Sequence, residues 1–169
     1  MKRLITTLPL LITIFLTNDL HAQVLKKKAF KDASTIRLYV TDLNEDAAIE
    51  RFTEFINKTK WTVQPSLKLD DVNSAQRDDT MFTDVGSLFD FMMGEFQGQL
   101  KFYADRDSSN KIYIAVSGYA SALSWGGSGQ AQMKKRGSDT NWSQRAMFKQ
   151  VDKHLSDFSD VDMIRYSDE

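Results

Sequence analysis

Residues 100–116 read LKFYADRDSSNKIYIAV, and this stretch decides the fold. On each side of a polar centre, apolar residues alternate with polar residues or tyrosines, which is the period of a strand with one buried face. The centre, Asp105–Asn110, is rich in the residue types that favour tight turns. We therefore predict a β-hairpin with strands over 100–104 and 112–116, and the pattern allows the second strand to continue to Leu123.

The same two-residue period occurs upstream in residues 36–40 and predicts another half-buried strand. Asp42 or Asn44 can cap a helix that follows, because either side chain accepts hydrogen bonds from the free amides of a first turn. Apolar residues then recur at helical spacing up to about Lys58, with charged residues on the other side. These signals predict a strand followed by an amphipathic helix.

Further segments complete the predicted order of elements. We predict a strand over 61–69, a short helix over 84–93, a flexible loop over 124–141 and a last helix over 142–157. The helix at 84–93 rests on apolar residues at helical spacing, although the glycines in that segment weaken the pattern. The residues that remain, 159–169, are predicted to form an acidic tail.

This order of elements predicts one α+β domain over residues 34–158. We expect two layers, with an antiparallel sheet of about four to five strands and two main helices packed on one face of it. A length of 169 residues with 41% hydrophobic content is sufficient for one domain with a buried core.

Four elements carry a resemblance to a known group of proteins: the strand Ile36–Val40, the helix that ends before Trp61, and the strand pair Leu100–Ala104 and Ile112–Val116. Their layout resembles that of small exported bacterial domains of unknown function that share the β-α-β-β-β-α fold of the TATA-box-binding protein. The resemblance covers most of the predicted domain and implies no catalytic residues. The predicted extra helix and the long loop depart from that pattern.

The N terminus has the three parts of a secretory signal peptide. A basic start at residues 1–3 precedes an apolar run of 13 residues, 4–16, and a small-residue site at Ala22–Gln23. The run is shorter than the roughly 20 residues that span a bilayer. We predict a signal peptide over 1–22, a mobile lead-in over 23–33, and a periplasmic or secreted protein with no transmembrane span after cleavage. A retained anchor is the alternative.

Composition excludes several classes of function. There is no cysteine, and therefore no disulfide, no thiolate nucleophile and no cysteine zinc site. Lys and Arg number 22 against 23 Asp and Glu, and the chain without residues 1–22 keeps 20 basic and 22 acidic residues. This balance argues against a protein that binds nucleic acid through its phosphates.

No motif in the sequence carries a specific chemistry. Residues 105–110 are similar to the start of a calcium loop, but Asn110 stands where a glycine is needed and Val116 where an acid is needed. The glycine-rich residues 126–130 lack the spacing of a phosphate loop or a nucleophile elbow. His154 is predicted to lie at the border of a helix's apolar face. We predict no catalytic residue, metal or cofactor.

Strand parity does single out one surface. If the apolar residues of the three strands face the helices, their neighbours must lie on the opposite face of the sheet. The neighbours that carry rings or positive charge are Arg37, Tyr39, Lys101, Tyr103 and Tyr113. Tyrosines with a basic fringe can stack on and hydrogen-bond a ligand, whereas ordinary cross-strand packing on a wet face is the alternative.

These observations predict an exported bacterial module that binds a ligand or partner, most simply a protein or another envelope component, and is not an enzyme. A homo-oligomer that pairs the two tyrosine-bearing faces is a further possibility. The alternative function is a small hydrolase of cell-envelope polymers that uses carboxylates, because paired acids meet in space and not in sequence.

Overall fold

A computed structural model of the chain describes residues 25–64, 79–84, 86–91, 94–122, 131–137 and 142–168. The predicted signal peptide lies outside these residues, as do most of the predicted strand over 61–69 and much of the predicted loop over 124–141.

The described residues form two helices and nine strands. In chain order these are β1 Leu25–Lys26, β2 Thr35–Val40, α1 Glu45–Asn57, β3 Val63–Gln64, β4 Met81–Thr83, β5 Gly86–Phe91, β6 Gly94–Arg106, β7 Ile112–Ala122, β8 Ala131–Gln132, α2 Trp142–Leu155 and β9 Val161–Ser167. The predicted α+β class is therefore confirmed. Neither helix is long and apolar enough to cross a membrane.

The sheet is larger than predicted, and it is mixed. Its strands follow the order β1-β9-β2-β7-β6-β4-β3, while β5 pairs with β6 and β8 pairs with β7. The prediction of four to five antiparallel strands is wrong in number, because short strands extend both edges, and wrong in type, because β1 runs parallel to β9. The other pairs are antiparallel.

The predicted helix over 84–93 is wrong, because Gly86–Phe91 forms β5. This strand folds back on the first half of β6, with Gly86 opposite Gly98 and Phe91 opposite Gly94. Glycine is a poor helix former, and pairing with a neighbouring strand overrides a local helical spacing of apolar residues.

The two ends of the described chain are part of the sheet. The predicted acidic tail contains β9, which lies between β1 and β2 and buries Val161 and Ile164. The lead-in, expected to be mobile, carries β1, and the backbone oxygen of its buried Ala33 accepts a hydrogen bond from the Lys135 amide at 2.8 Å. Burial of Val161 and Ile164 in β9 stabilises the docked C-terminal segment, whereas the described part of the lead-in buries only Ala29 and Ala33 and depends more on its backbone hydrogen bonds.

Local signals in the sequence do place the cap and the turn correctly. The Asn44 side chain caps α1 by accepting a hydrogen bond from the Ala47 amide at 2.8 Å. In the β6–β7 turn, the Asp107 carboxylate accepts from the amides of Ser109 at 2.8 Å and Lys111 at 3.0 Å. The predicted hairpin is confirmed by the pairing of β6 with β7.

Both helices pack on one face of the sheet, as predicted. The Phe52 ring of α1 meets the Phe102 ring of β6 edge to face, with centroids 4.9 Å apart. The strand residues predicted to face the helices all belong to this core: Ile36, Leu38, Val40, Leu100, Phe102, Ile112 and Ile114.

Candidate functional site

The structure brings the predicted site residues together on the face of the sheet that points away from the helices. Tyr39 of β2 lies directly opposite Tyr113 of β7. On the neighbouring pair of positions, Ala115 of β7 lies between Arg37 of β2 and Tyr103 of β6. We call this surface the tyrosine face and define it by the five predicted residues, Arg37, Tyr39, Lys101, Tyr103 and Tyr113.

The centre of the tyrosine face is more closely packed than an open stacking surface. Tyr39 is 4% exposed and Tyr113 is 6% exposed, and their ring centroids are 5.6 Å apart with planes tilted by 40°. Together with Ala115 they form a small apolar cluster, against which Tyr103 and Met163 pack. Strand parity predicts which face a side chain lies on, but it does not predict how far neighbouring side chains cover it. Because Tyr39 and Tyr113 are nearly buried, a partner can reach only the edges of this cluster.

Cations cover the tyrosine rings. The guanidinium of Arg37 lies 4.9 Å from the centre of the Tyr113 ring, and that of Arg165 lies 5.0 Å from the centre of the Tyr39 ring. The Lys101 ammonium lies 5.4 Å from the Tyr119 ring centre in the same way. Cation–π contacts of this kind stabilise by about 0.5–1 kcal/mol each at exposed sites, and they hold the charged groups flat against the sheet.

Arg165 and Met163 pack against the tyrosine face, and neither was predicted from the sequence. Both belong to β9, where Met163 is paired with Tyr39 and Arg165 with Arg37. The buried residues of β9, Val161 and Ile164, are three positions apart, because the register of β9 against β2 shifts between Tyr39 and Val40. The segment therefore lacks the regular two-residue alternation that marks a strand.

The carboxylate of Asp107, in the β6–β7 turn, lies beside Tyr39 and Arg165 at one end of the tyrosine face. The amide of Lys111, the amide of Ser109, the Tyr39 hydroxyl and the charge of Arg165 all lower the pKa of the Asp107 carboxyl. Each of these groups stabilises the carboxylate form, by a hydrogen bond or by opposite charge. Arg165 therefore has an acidic neighbour on this surface.

A second charged region lies on the helix side of the sheet. A groove of about 430 Å³ between α1 and β6 is lined by several carboxylates, including Glu45, Asp79 and Asp105. The hydrogen bond from Arg106 lowers the pKa of Glu45, whereas a general acid needs a raised value. Among the residues that the structure describes, no group of three or more His, Asp or Glu side chains is arranged to hold a metal ion.

His154 has a packing role. Its ring meets the Trp61 ring edge to face with centroids 6.0 Å apart, and Trp61 is almost fully buried. The indole N–H of Trp61 donates to the Gly98 backbone oxygen at 3.2 Å. The ring contact packs the end of α2 against the segment between α1 and β3.

The fold and the site together define an α+β protein with a cation-covered tyrosine face. No protein-family model, no curated protein and no solved structure matches the chain. The resemblance to exported domains with the fold of the TATA-box-binding protein therefore stays a prediction.

Proposed function

We propose that this protein is an exported bacterial module that docks an acidic segment of a partner in the cell envelope on its tyrosine face. The observation that carries the proposal is the pairing of Arg37 directly opposite Arg165 on neighbouring strands, with both guanidiniums held over tyrosine rings. Like charges directly opposite each other on a sheet are destabilising by themselves. The Asp107 carboxylate offsets part of that repulsion at Arg165, and a carboxylate supplied by a partner would offset more of it.

The chemistry of the surface favours an acidic protein segment. A guanidinium offers a planar fork of donors that matches a carboxylate in two hydrogen bonds, and Lys101 adds a third positive charge to the same face. Arg and Tyr are also the residue types that contribute most often to binding energy at interfaces. The half-buried Tyr103 is the ring left accessible at the edge of the cluster.

The same charges disfavour a dimer formed through this face. In a two-fold dimer the same patch lies on both subunits, and the face would bring its cations close to those of the other copy. An acidic partner gives attraction where a second copy gives repulsion.

Binding of an acidic peptide to the purified protein tests this proposal. We expect a Glu-rich peptide to bind with strong salt dependence, and the double variant Arg37→Gln with Lys101→Gln to bind about tenfold more weakly. The double variant Lys58→Gln with Lys149→Gln removes the same charge from two exposed positions, the C-cap of α1 and the middle of α2, and should bind like the parent. Equal binding by both double variants contradicts the proposal.

Two further measurements complete the test. The proposal expects the protein in the periplasm or the medium, with an N terminus at Gln23, and a retained N terminus in the cytoplasm contradicts export. Hydrolysis of envelope glycans or peptides by the purified protein, abolished by one Asp or Glu substitution, would establish the hydrolase alternative instead.

A further inference from the structure

A cleft of about 300 Å³ opens at the end of the sheet where β2 leads into α1. Its walls come from the end of β2 at 39–43, from the β6–β7 hairpin at 106 and 110–112, and from the start of β9 at 162–163. This volume is at the lower end of the range for small-ligand sites. The cleft adjoins the tyrosine face but contains none of its cations.

Charges of opposite sign lie on the two flanks of this cleft. Because β2 lies between β9 and β7, Asp162 is on one flank, and Lys111 and Arg106 are on the other, with Asp42 at the end of β2 itself. Neighbouring strands are about 4.8 Å apart, so the flanks are separated by roughly 10 Å. The cleft is therefore acidic at one side and basic at the other.

Two of these charges are held in place and two are available. The Arg106 guanidinium donates to the Glu45 carboxylate through Nη2 at 2.8 Å and through Nε, and the Asp162 carboxylate accepts from the Thr41 hydroxyl. Asp42 and Lys111 are exposed and form no ion pair with any residue that the structure describes.

Two turns in the backbone shape the cleft. Among the described residues, the two non-glycine residues with positive φ are Asp42 at 58° and Asn110 at 60°, and both line this cleft. Asp and Asn adopt this left-handed conformation more readily than other side chains, and at Asn110 it belongs to the β6–β7 turn, where the Asn110 amide donates to the Asp107 backbone oxygen at 2.9 Å.

We infer that this cleft binds a small zwitterion of one or two small residues, with its ammonium toward Asp42 and Asp162 and its carboxylate toward Lys111. A ligand of one sign would be repelled at one of the flanks. A residue advances about 3.5 Å along an extended chain. With a hydrogen bond of about 2.8 Å at each end, a single amino acid spans about 9 Å and a dipeptide about 13 Å, so zwitterions of one or two residues bracket the separation of the flanks. This inference goes beyond the proposed docking of an acidic partner.

Titration of the whole protein with L-alanyl-L-alanine tests the inference. Binding is measured from the NMR chemical-shift changes of the backbone amides that line the cleft. Because Asp42 and Lys111 are exposed, we expect Asp42→Asn and Lys111→Gln each to weaken binding about fivefold. Asn is compatible with the backbone conformation at position 42, so the first variant should fold. Asp157→Asn and Lys149→Gln remove the same charges from exposed positions outside the cleft and should bind like the parent.

Blocked peptides separate a zwitterion site from a site for one charge. We expect N-acetylated and C-amidated forms of the dipeptide each to bind about fivefold more weakly than the free form. Equal binding by the blocked forms, or no binding at millimolar dipeptide, overturns the inference. The double variant Arg37→Gln with Lys101→Gln should bind the dipeptide like the parent and the acidic peptide about tenfold more weakly, so the failure of one proposal is distinguishable from the failure of the other.

Discussion

Asp107 connects the hairpin to the tyrosine face, and its ionisation should contribute to stability. Its pKa is lowered from the ordinary value of 3.8, first by the Lys111 amide and then by the Ser109 amide, the Tyr39 hydroxyl and Arg165. A carboxyl with a lowered folded-state pKa stabilises the fold above its unfolded pKa. That contribution is lost as the pH falls through the lower, folded-state value.

The substitution Asp107→Asn should therefore lower the free energy of unfolding at neutral pH. The free energy of unfolding should also decrease less in this variant than in the parent when the pH falls below about 4. Chemical denaturation at pH 7 and at about pH 3 measures both effects. Asp157→Asn, at an exposed position, should have the same free energy of unfolding as the parent at both pH values. Part of the acid dependence should remain in the Asp107 variant, because Arg106 also lowers the pKa of Glu45. An identical fall in the Asp107 variant and the parent contradicts this role.

Single residues show what alternation along a strand can and cannot predict. The parity of Arg37, Tyr39 and Tyr113 is correct, because successive side chains must point to opposite faces. The near-complete burial of the two tyrosines depends in part on Met163 and Arg165. These residues lie 124 and 126 positions after Tyr39, and 50 and 52 positions after Tyr113. Local pattern carries no information about such neighbours.

At the scale of elements, β7 approaches β6 and α2 so closely at Gly118 that no side chain fits. A Cβ atom there would clash with Cε of Met147 and would lie 2.7 Å from the backbone oxygen of Gln99. The methionine can move, because it is flexible, but the backbone oxygen belongs to the central strand pair. The requirement for glycine is therefore one of space.

Gly118→Ala should accordingly destabilise the protein by about 1–3 kcal/mol, the usual range for overpacking. The added substitution Met147→Ala removes the side-chain clash but leaves the clash with the Gln99 oxygen. We therefore expect Gly118→Ala to remain destabilising when it is compared with Met147→Ala alone. Denaturant unfolding of the parent, the two single variants and the double variant measures these differences in stability. Equal stability of Met147→Ala with and without Gly118→Ala contradicts the steric account.

Elements with a complete local signal were predictable, and those that depend on distant pairing were not. The boundaries of α1 and of the β6–β7 turn follow from Asn44 and Asp107, whose side chains bond the nearby backbone. In contrast, β5 has apolar residues that fit a helix equally well, and pairing with β6 decides its state. The short β1 depends on β9, about 140 residues away, so no window of sequence contains its signal.

In the whole molecule, the last strand completes the sheet that the first strands begin. β9 lies between β1 and β2, and its Ile164 is fully buried in the helix-facing core. Pairing strands from opposite ends of a chain requires closing a long loop, which makes folding slow compared with that of helical proteins. The C-terminal residues are therefore needed before the sheet can be finished.

Deleting residues 159–169 distinguishes a structural strand from an acidic tail. Without β9 the protein loses Val161 and Ile164 from its core, and the edge of β2 is left without its partner. We expect the truncated protein to be unfolded or aggregated, because an open strand edge also pairs with other chains.

Ile164→Ala should lower the free energy of unfolding by about 2–5 kcal/mol, as for other large-to-small changes in a core. Asp168→Asn, at an exposed position after the strand, should have no effect. Circular dichroism and denaturant unfolding check all three, and a truncated protein with the stability of the parent would show that β9 contributes nothing to the fold.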